Sequence, residues 1–405
     1  MNFLFIHPEY PGRFRFLAAF FGKEKAHTPV FITSQKVDKK NWVKGVKTIC
    51  VPQKRDGKDS KTVTFPDPLA RAAARQLIEL EKDGFVPDVI LGQSGSPMAF
   101  HVKDIFPDTP FISYFEWYHG ADTLELTPDK AALRQARMDL HVKNMPVLAD
   151  LARCDRGICP TEWQKEQFPV EFRGKLTVAH TGVDTRFFDP KPEARFKSGQ
   201  SELKLDLSRG GQLVTYASHL LAPYPGFDSF LGALPGLLEN KPDLHVVILG
   251  RDKVMMQDGQ GSKKSYKRLV LEKPGMDSDR VHLADGLPPE EYRLLLQASD
   301  LHVYLDSPLV VSGFLLDAMA CGCLVMAPGT GPVSQIIKDG SNGIIADFSS
   351  PDAVRNRMEA CLDYPSFMEK IKARARQTIL DHYALEKMIQ KQLDIIRETL
   401  RPARG

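Results

Sequence analysis

Short runs of apolar residues alternate with longer segments in which apolar residues recur at helical spacing. The runs at 3–6, 30–32 and 89–91 are each followed by polar or turn-forming residues. The segment 13–21 carries its large apolar residues on one side, as an amphipathic helix does. Short buried strands separated by helices predict right-handed βαβ units with parallel strands, so we expect an α/β protein.

The same alternation occurs twice, on either side of a polar interval. Residues 182–210 contain prolines and many charges but few apolar residues, which is typical of a linker. A second series of strand and helix patterns follows it. The sequence therefore predicts one α/β domain at 1–181, a linker at 182–210 and a second α/β domain at 211–385.

Two long helical regions are also predicted. Residues 130–152 have a strongly helical composition, and we expect the helix to be interrupted at Pro146 because proline lacks the amide N–H. Residues 351–399 are predicted to be helical throughout.

Length and composition are those of an ordinary globular protein. The chain has 405 residues, of which 42% are hydrophobic and 26% charged, and its net charge is +3. That charge is too small to indicate a nucleic-acid partner, and we predict none. Residues 1–64 are more basic, with 13 Lys and Arg against 5 Asp and Glu. A solvated face is the favoured interpretation; a surface for an anionic acceptor or for membrane headgroups is the alternative.

The cysteines and the apolar runs indicate a cytoplasmic protein. Six cysteines are scattered along the chain, and no pair has the Cys-x-x-Cys spacing of a metal site. The first apolar run is short and leads directly into His7, unlike a signal peptide, and no run reaches transmembrane length. We expect a cytoplasmic location, at most peripheral to a membrane, and no metal ion or other cofactor.

The segment 307–348 contains the strongest candidate for an anion site. It is predicted to form a strand–helix–strand–helix–strand unit whose first helix opens at Val311, Ser312, Gly313 and Phe314. Backbone N–H groups at a helix start are unpaired, and the helix dipole adds partial positive charge there. Together with Ser307, these four residues are therefore a candidate phosphate cradle.

The motif Asp-Ala-Met-Ala-Cys-Gly at 317–322 resembles a sequence motif of a known family. The motif and the elements around it are similar to the donor-binding half of retaining nucleotide-sugar glycosyltransferases with the GT-B fold. The usual motif in that family is a Glu, then seven residues of any type, and then Glu-Ala-Met-Ala-Cys-Gly. The resemblance implies two Rossmann-like domains whose parallel sheets face a cleft, with the last helix, at 386–405, packing back on the first domain. It also implies a nucleotide-sugar donor and an acceptor that it does not identify.

In the first domain the resemblance points to three residues that follow strands. Gly12 lies in the loop after the first strand, where backbone can approach a ligand closely; a simple tight turn is an equal alternative. Glu116 stands roughly where many family members have an active-site histidine, and a carboxylate there could orient or deprotonate an acceptor hydroxyl. His119 follows in the same loop as a second catalytic candidate. The alternatives are a buried ion-pair partner for Glu116 and a solvated loop residue for His119.

In the second domain the resemblance implies donor contacts at strand ends. Gly250, Arg251 and Leu287 lie in loops that form the base pocket in the family. Asp317 replaces the glutamate that usually accepts the ribose hydroxyls, and it is one methylene shorter. His219 replaces an arginine that binds the diphosphate, and histidine is only partly protonated near pH 7.

Two further family positions are replaced, Leu309 for a glutamate and Pro225 for a cation. These changes predict an atypical donor phosphate site, and they leave two main functions open. The first is an active glycosyltransferase that uses the altered site. The alternative is a non-catalytic relative that acts as a binding or partner subunit, which the missing cations favour. A sugar epimerase or a phosphorylase is a weaker third; no lysine stands in a phrase suited to a Schiff base.

Overall fold

The computed structural model describes residues 1–51, 68–120, 130–199, 203–221, 226–252, 254–256, 263–305 and 310–401. The chain divides into two compact units. The first contains residues 1–181 and 386–405, and the second contains residues 182–385.

The first unit is built on a parallel sheet. Its described strands are β1 (Asn2–Ile6), β2 (Thr28–Thr33), β3 (Lys47–Cys50), β4 (Val89–Gln93), β5 (Phe111–Tyr114), β6 (Arg156–Cys159) and β7 (Leu176–Val178), in the order β3-β2-β1-β4-β5-β6-β7. Its first helices are α1 (Arg15–Gly22), α2 (Pro68–Lys82), α3 (Val102–Ile105), α4 (Lys130–Arg153) and α5 (Glu162–Glu166). The strand order changes direction between β1 and β4, which is where ligands bind in open α/β sheets.

Apolar side chains cover both faces of this sheet. Phe3 and Phe5 of β1 pack in one cluster with Phe14, whereas Leu4 and Ile6 pack in another on the opposite face. Strands that are buried on both faces read as continuous hydrophobic runs, which is why the sequence marks them clearly.

The second unit has the strand order of a Rossmann sheet. Its described strands are β8 (Gln212–Leu221), β9 (Leu244–Asp252), β10 (Val254–Met256), β11 (Lys263–Ser265), β12 (Val281–Ala284), β13 (Leu301–Val303), β14 (Val325–Pro328) and β15 (Ile344–Ala346). The parallel sheet runs β12-β9-β8-β13-β14-β15, and β10 pairs separately with β11. Its helices are α6 (Phe227–Asn240), α7 (Tyr266–Leu271), α8 (Pro289–Gln297), α9 (Gly313–Ala320), α10 (Gly331–Ile336), α11 (Pro351–Asp363) and α12 (Pro365–His382). The predicted class, α/β with two Rossmann-like parallel sheets, is confirmed.

The C-terminal region is divided into separate helices. The prediction that residues 351–399 are helical is confirmed except at 364, 383 and 384, because α11 ends before Pro365 and α12 ends before Ala384. The last helix, α13 (Leu385–Leu400), belongs to the first unit from Glu386 onwards. Its Leu393 and Ile396 lie in the same cluster as Phe3 and Phe5.

The segment 182–210 is part of the second unit and not a free linker. Phe196, Leu203, Leu205 and Leu207 are at most 6% exposed and pack with residues of β8 and β9. The three leucines alternate with polar residues, so they place one face on the core. This alternation of apolar and polar residues is short and is surrounded by charged residues, which is why the composition of the segment indicates a linker.

Helix α4 continues through Pro146, so the predicted interruption there is wrong. A proline removes one backbone hydrogen bond, and in a helix this long the turns on both sides remain paired. Helix α4 has 24 residues, which is long enough to span a membrane, but it carries many charged residues. Among the described residues, no helix is both long and apolar enough to cross a membrane.

Candidate functional site

The candidate site residues and the polar side chains around them lie near the carboxyl ends of strands in both units. We call the group in the first unit the first edge and the group in the second unit the second edge. The first edge consists of His7, Gly12, Arg13, Gln93, Glu116 and His119. The second edge consists of His219, Arg251, Ser312, Gly313, Phe314 and Asp317.

Gly12 shapes the loop after β1. Its φ of +49° lies in the left-handed region, and a Cβ there would stand 2.4 Å from Nδ1 of His7. Only glycine meets both conditions, so the imidazole of His7 lies directly on the Gly12 backbone. Nδ1 of His7 is 2.8 Å from the Glu9 carbonyl, and burial lowers the pKa of His7. In this structure Gly12 forms a tight turn; a ligand contact at Gly12 stays a prediction.

Glu116 lies just beyond β5 and is held at three points. Its carboxylate pairs with Nε of Arg13 and accepts a hydrogen bond from Nε2 of Gln93 at 3.4 Å. Its backbone carbonyl accepts a hydrogen bond from Nε2 of Gln164 at 2.6 Å. The side chain is still 26% exposed. Its Oε1 is buried, so the carboxylate is held in one orientation and Oε2 is the oxygen that we would expect to orient a hydroxyl or receive its proton.

Arg13 is the cation of the first edge. Burial, followed by the nearby charge of Arg13, lowers the pKa of His180 to about 3, so His180 is neutral at physiological pH. Because Arg13 pairs with Glu116, the two charges compensate each other. The first edge thus offers hydrogen-bonding groups with little net charge.

The backbone of His119 is fastened to helix α4. Its N–H donates to Oδ1 of Asn144 at 2.9 Å, and its carbonyl accepts from Nδ2 of the same side chain at 2.8 Å. The ring lies edge-on to Trp117, with 6.4 Å between centroids. Burial, followed by the charge of Lys143, lowers the pKa of His119. This histidine is therefore neutral at physiological pH.

Sequence reasoning missed several residues that hold the first edge. His7 and Gln93 end or follow β1 and β4, so the rule that ligands meet strand carboxyl ends would have selected them. Asp150 of α4 accepts the Gly95 N–H at 2.8 Å and fixes the turn after β4. Burial raises the pKa of Asp150 to about 7. No local pattern marks Asp150, because it is one polar residue in a long helix.

The second edge is organised by the start of α9. Ser312 occupies the N-cap position, and its side chain does not cap the helix. Its N–H donates instead to the hydroxyl of Tyr304 at 3.0 Å, so this amide of the predicted cradle is already used. Val311 is buried in the core. The amides of Gly313 and Phe314, the first two residues of α9, remain as the candidates for binding a phosphate.

Asp317 points back towards the start of α9. Its Oδ2 lies 3.9 Å from the position of a Cβ built on Gly313, as expected for a helical side chain directed towards the N-terminus. The residue is half-buried, and the burial of its carboxyl group raises the pKa of Asp317 to about 8. Asp317 is therefore mostly protonated at neutral pH. In that form it does not repel a phosphate, and it can donate a hydrogen bond.

His219 lies near the same helix start, and Arg251 contacts the backbone of His219. His219 is exposed, at a bulge of β8 between Ala217 and Leu220. Its ring lies against Phe314, with 4.8 Å between centroids, and its carbonyl accepts a hydrogen bond from Nε of Arg251 at 3.3 Å. The imidazole thus lies against the first turn of α9, and a guanidinium is bonded to the backbone of the same histidine.

Two other predicted donor residues have packing partners. A Cβ on Gly250 would stand 2.8 Å from Leu221, so Gly250 allows β8 and β9 to pack closely. Leu287 packs against the cluster that contains Leu249. Ser307 of the predicted cradle and the replaced family positions Leu309 and Pro225 lie outside the described residues. Within the described part of the chain, no group of His, Cys, Asp or Glu side chains could hold a metal ion.

Comparison with known proteins identifies the family of both halves of the chain. Residues 25–188 match the Glycosyl transferase family 4 group, and residues 204–378 match Glycosyl transferases group 1. Spore coat protein SA of Bacillus subtilis (strain 168) is 22% identical over 55% of this chain and 59% of its own length. The D-inositol 3-phosphate glycosyltransferase of Segniliparus rotundus is 26% identical over 56% of this chain and 48% of its own length. The chain thus spans about half the length of the curated relatives it matches.

Solved structures share the fold over the whole chain. A glycosyltransferase from Rickettsia africae ESF-5 has a TM-score of 0.71 at 15% identity, covering 99% of both chains. Anabaena HepE in complex with UDP-glucose has a TM-score of 0.69 at 14% identity, covering 98% of this chain and 100% of HepE. Identities this low show the fold alone. The fold and the two matching families agree, and the chain belongs to the group 1 glycosyltransferases with the GT-B fold.

Proposed function

We propose that this chain transfers a sugar from a nucleotide-sugar donor to an acceptor hydroxyl, with the donor phosphates bound at the second edge. The observation that carries the proposal is the start of α9. There the Gly313 and Phe314 amides lie beside the ring of His219 and a mostly protonated Asp317. A helix start can bind a diphosphate without a metal ion, so no metal or other cofactor is proposed. The complex of HepE with UDP-glucose supports a nucleotide sugar as the donor.

In the first unit, Glu116 is the group that we propose acts on the acceptor. Arg13 and Gln93 hold its carboxylate in one orientation, and His119 offers a neutral base in the same loop. Because the charges of Glu116 and Arg13 compensate each other, the first edge favours the hydroxyl of an acceptor over an anionic group. The other parts of an anionic or membrane-associated acceptor would then bind elsewhere, and the excess of Lys and Arg in the sequence 1–64 is the candidate for that contact.

Calorimetric titration with UDP and GDP, followed by hydrolysis assays with UDP-glucose and GDP-mannose, tests the proposal. We expect saturable binding of one nucleotide and slow hydrolysis of the matching sugar donor. Binding without any turnover would favour the non-catalytic alternative. No saturable binding of either nucleotide would contradict the donor site itself.

His219→Ala is expected to weaken UDP binding about tenfold, the scale of one hydrogen bond to a charged phosphate group. His219→Arg is expected to strengthen binding by a similar factor, since a guanidinium is always charged. Isothermal titration calorimetry measures both. His382→Ala, which removes an exposed histidine of the same unit, is the control. Equal affinities in wild type and His219→Ala would show that other groups hold the phosphates.

Donor affinity is expected to fall as the pH rises above about 8, because Asp317 then ionises. Below that pH the protonated side chain does not repel the diphosphate, whereas above it the carboxylate does. One proton changes affinity by at most about tenfold per pH unit, so we expect a loss of about tenfold between pH 7 and 9. Asp317→Asn stays neutral and should lose clearly less affinity than wild type over this range. Identical profiles for the two proteins would exclude Asp317 as the cause.

A further inference from the structure

Helix α4 carries apolar side chains on its solvent face as well as on its buried face. Val147 and Leu151 lie in the core of the first unit. On the opposite side, Met138, Val142 and Met145 are 53%, 40% and 48% exposed. Their spacing of four and then three residues places them in one row, which is about 10 Å long at 1.5 Å per residue. We call these three residues the α4 stripe.

Basic side chains border the α4 stripe. Helical geometry places Arg134, Arg137 and His141 along one side of the row and Lys143 beyond the other side. All four are exposed. Between 134 and 145 there are three Lys and Arg against a single acidic residue, Asp139. The exposed surface of α4 therefore combines an apolar row with an excess of positive charge.

We propose that the α4 stripe docks on the surface of an anionic lipid bilayer. A helix with an apolar row and flanking Arg and Lys side chains lies in the membrane interface, where the row enters the headgroup region and the cations meet lipid phosphates. The helix does not qualify to span a bilayer, so it would lie on the surface.

A second copy of the chain is a poorer occupant of this surface. Three side chains of this size expose on the order of 250 Å² at the observed fractions, whereas the smallest stable protein interfaces bury roughly 600 Å² on each partner. The excess of positive charge around the row would also repel an identical surface, while it complements an anionic bilayer.

Docking would bring the first edge close to the lipid surface. Asn144, on the other side of α4, holds the backbone of His119 in the loop that also carries Glu116. The loop is therefore separated from the α4 stripe by about one helix diameter, roughly 10 Å. If the sugar-transfer function proposed above holds, this arrangement suits an acceptor that is carried by a lipid.

Co-sedimentation of the full chain with vesicles tests the proposal. Wild type is mixed with vesicles of phosphatidylcholine alone, or of phosphatidylcholine with 40% phosphatidylglycerol. We expect binding to the anionic vesicles only, weakened at least tenfold in the triple variant Met138→Gln, Val142→Gln, Met145→Gln. Arg134→Gln with Arg137→Gln should weaken binding by about fivefold per cation removed. The control is Val86→Gln with Val170→Gln, which changes side chains of the same unit that are 56% and 75% exposed.

Thermal unfolding measurements test whether each variant is folded. We expect that all of them are, because the changed side chains are exposed. Absence of binding to anionic vesicles overturns the proposal, as does equal binding by wild type and the triple variant. A wild-type dimer in sedimentation velocity that the triple variant converts to monomer would assign the stripe to a second copy and would also overturn it. Since neither nucleotide nor acceptor is present, these outcomes are independent of sugar transfer.

Discussion

Glu116→Gln is expected to lower the rate of sugar transfer at least a hundredfold, while the affinity for UDP changes less than twofold. Glutamine preserves the shape of the side chain but cannot take a proton, and general-base catalysis contributes about 10² to 10⁴ in rate. UDP affinity should be retained because the proposed phosphate-binding groups belong to the second unit. Release of UDP under saturating donor gives kcat, and calorimetry gives the affinity.

Glu9→Gln is the matched control for this experiment. Glu9 is an exposed carboxylate in the loop that also contains His7 and Gly12, and we expect its replacement to leave kcat within twofold. If Glu116→Gln lost UDP affinity by the same factor as it lost rate, Glu116 would bind the donor. Full activity in this variant would return Glu116 to the role of a structural ion-pair partner of Arg13.

Gly313→Val should weaken UDP binding about a hundredfold with little change in thermal stability. The nearest atom to a Cβ at Gly313 is Oδ2 of Asp317, at an ordinary contact distance of 3.9 Å, so the protein has room for a side chain. A phosphate on the amide of Gly313 has no such room, because the branched side chain of valine would occupy the space through which the phosphate approaches. Calorimetry with UDP and a thermal melt of each protein measure the two effects.

A second glycine of the same unit shows what a structural glycine does. A Cβ on Gly250 would stand 2.8 Å from Leu221, so Gly250→Ala should lower the melting temperature by several degrees through overpacking. Gly313→Ala, which adds only a methyl group, gives a binding measurement even if the valine variant unfolds. Normal UDP affinity in both Gly313 variants would exclude the start of α9 as the phosphate site.

The parallel sheets could be predicted from the sequence because their strands are buried on both faces. Phe3 and Leu4 face opposite clusters, so the run that contains them is apolar at successive positions and easy to recognise. The row Leu203, Leu205 and Leu207 has only one buried face and stands among charged residues. The charged composition of this segment therefore predicts a linker, although the alternating leucines indicate a buried face.

The partners of the site residues could not be predicted, because they come from distant parts of the chain. The place of Glu116 after a strand predicts a site residue, but its ion pair with Arg13 depends on how two loops approach each other. The hydrogen bond from Ser312 to Tyr304 likewise removes an amide that the helix start alone would offer. The raised pKa of Asp317 is a property of burial, which a single residue type does not reveal.

The packing of residues 182–210 on the second unit determines where donor halves can be exchanged between related enzymes. A chimera joined at 181/182 and 385/386 transfers Phe196 and the three leucines together with the sheet that they cover. A chimera joined at 210/211 would combine that sheet with a foreign segment, so those four side chains would have to fit a core that did not evolve with them. Recombination of donor preference in this family is therefore expected to succeed at the first boundary and to yield poorly folded proteins at the second.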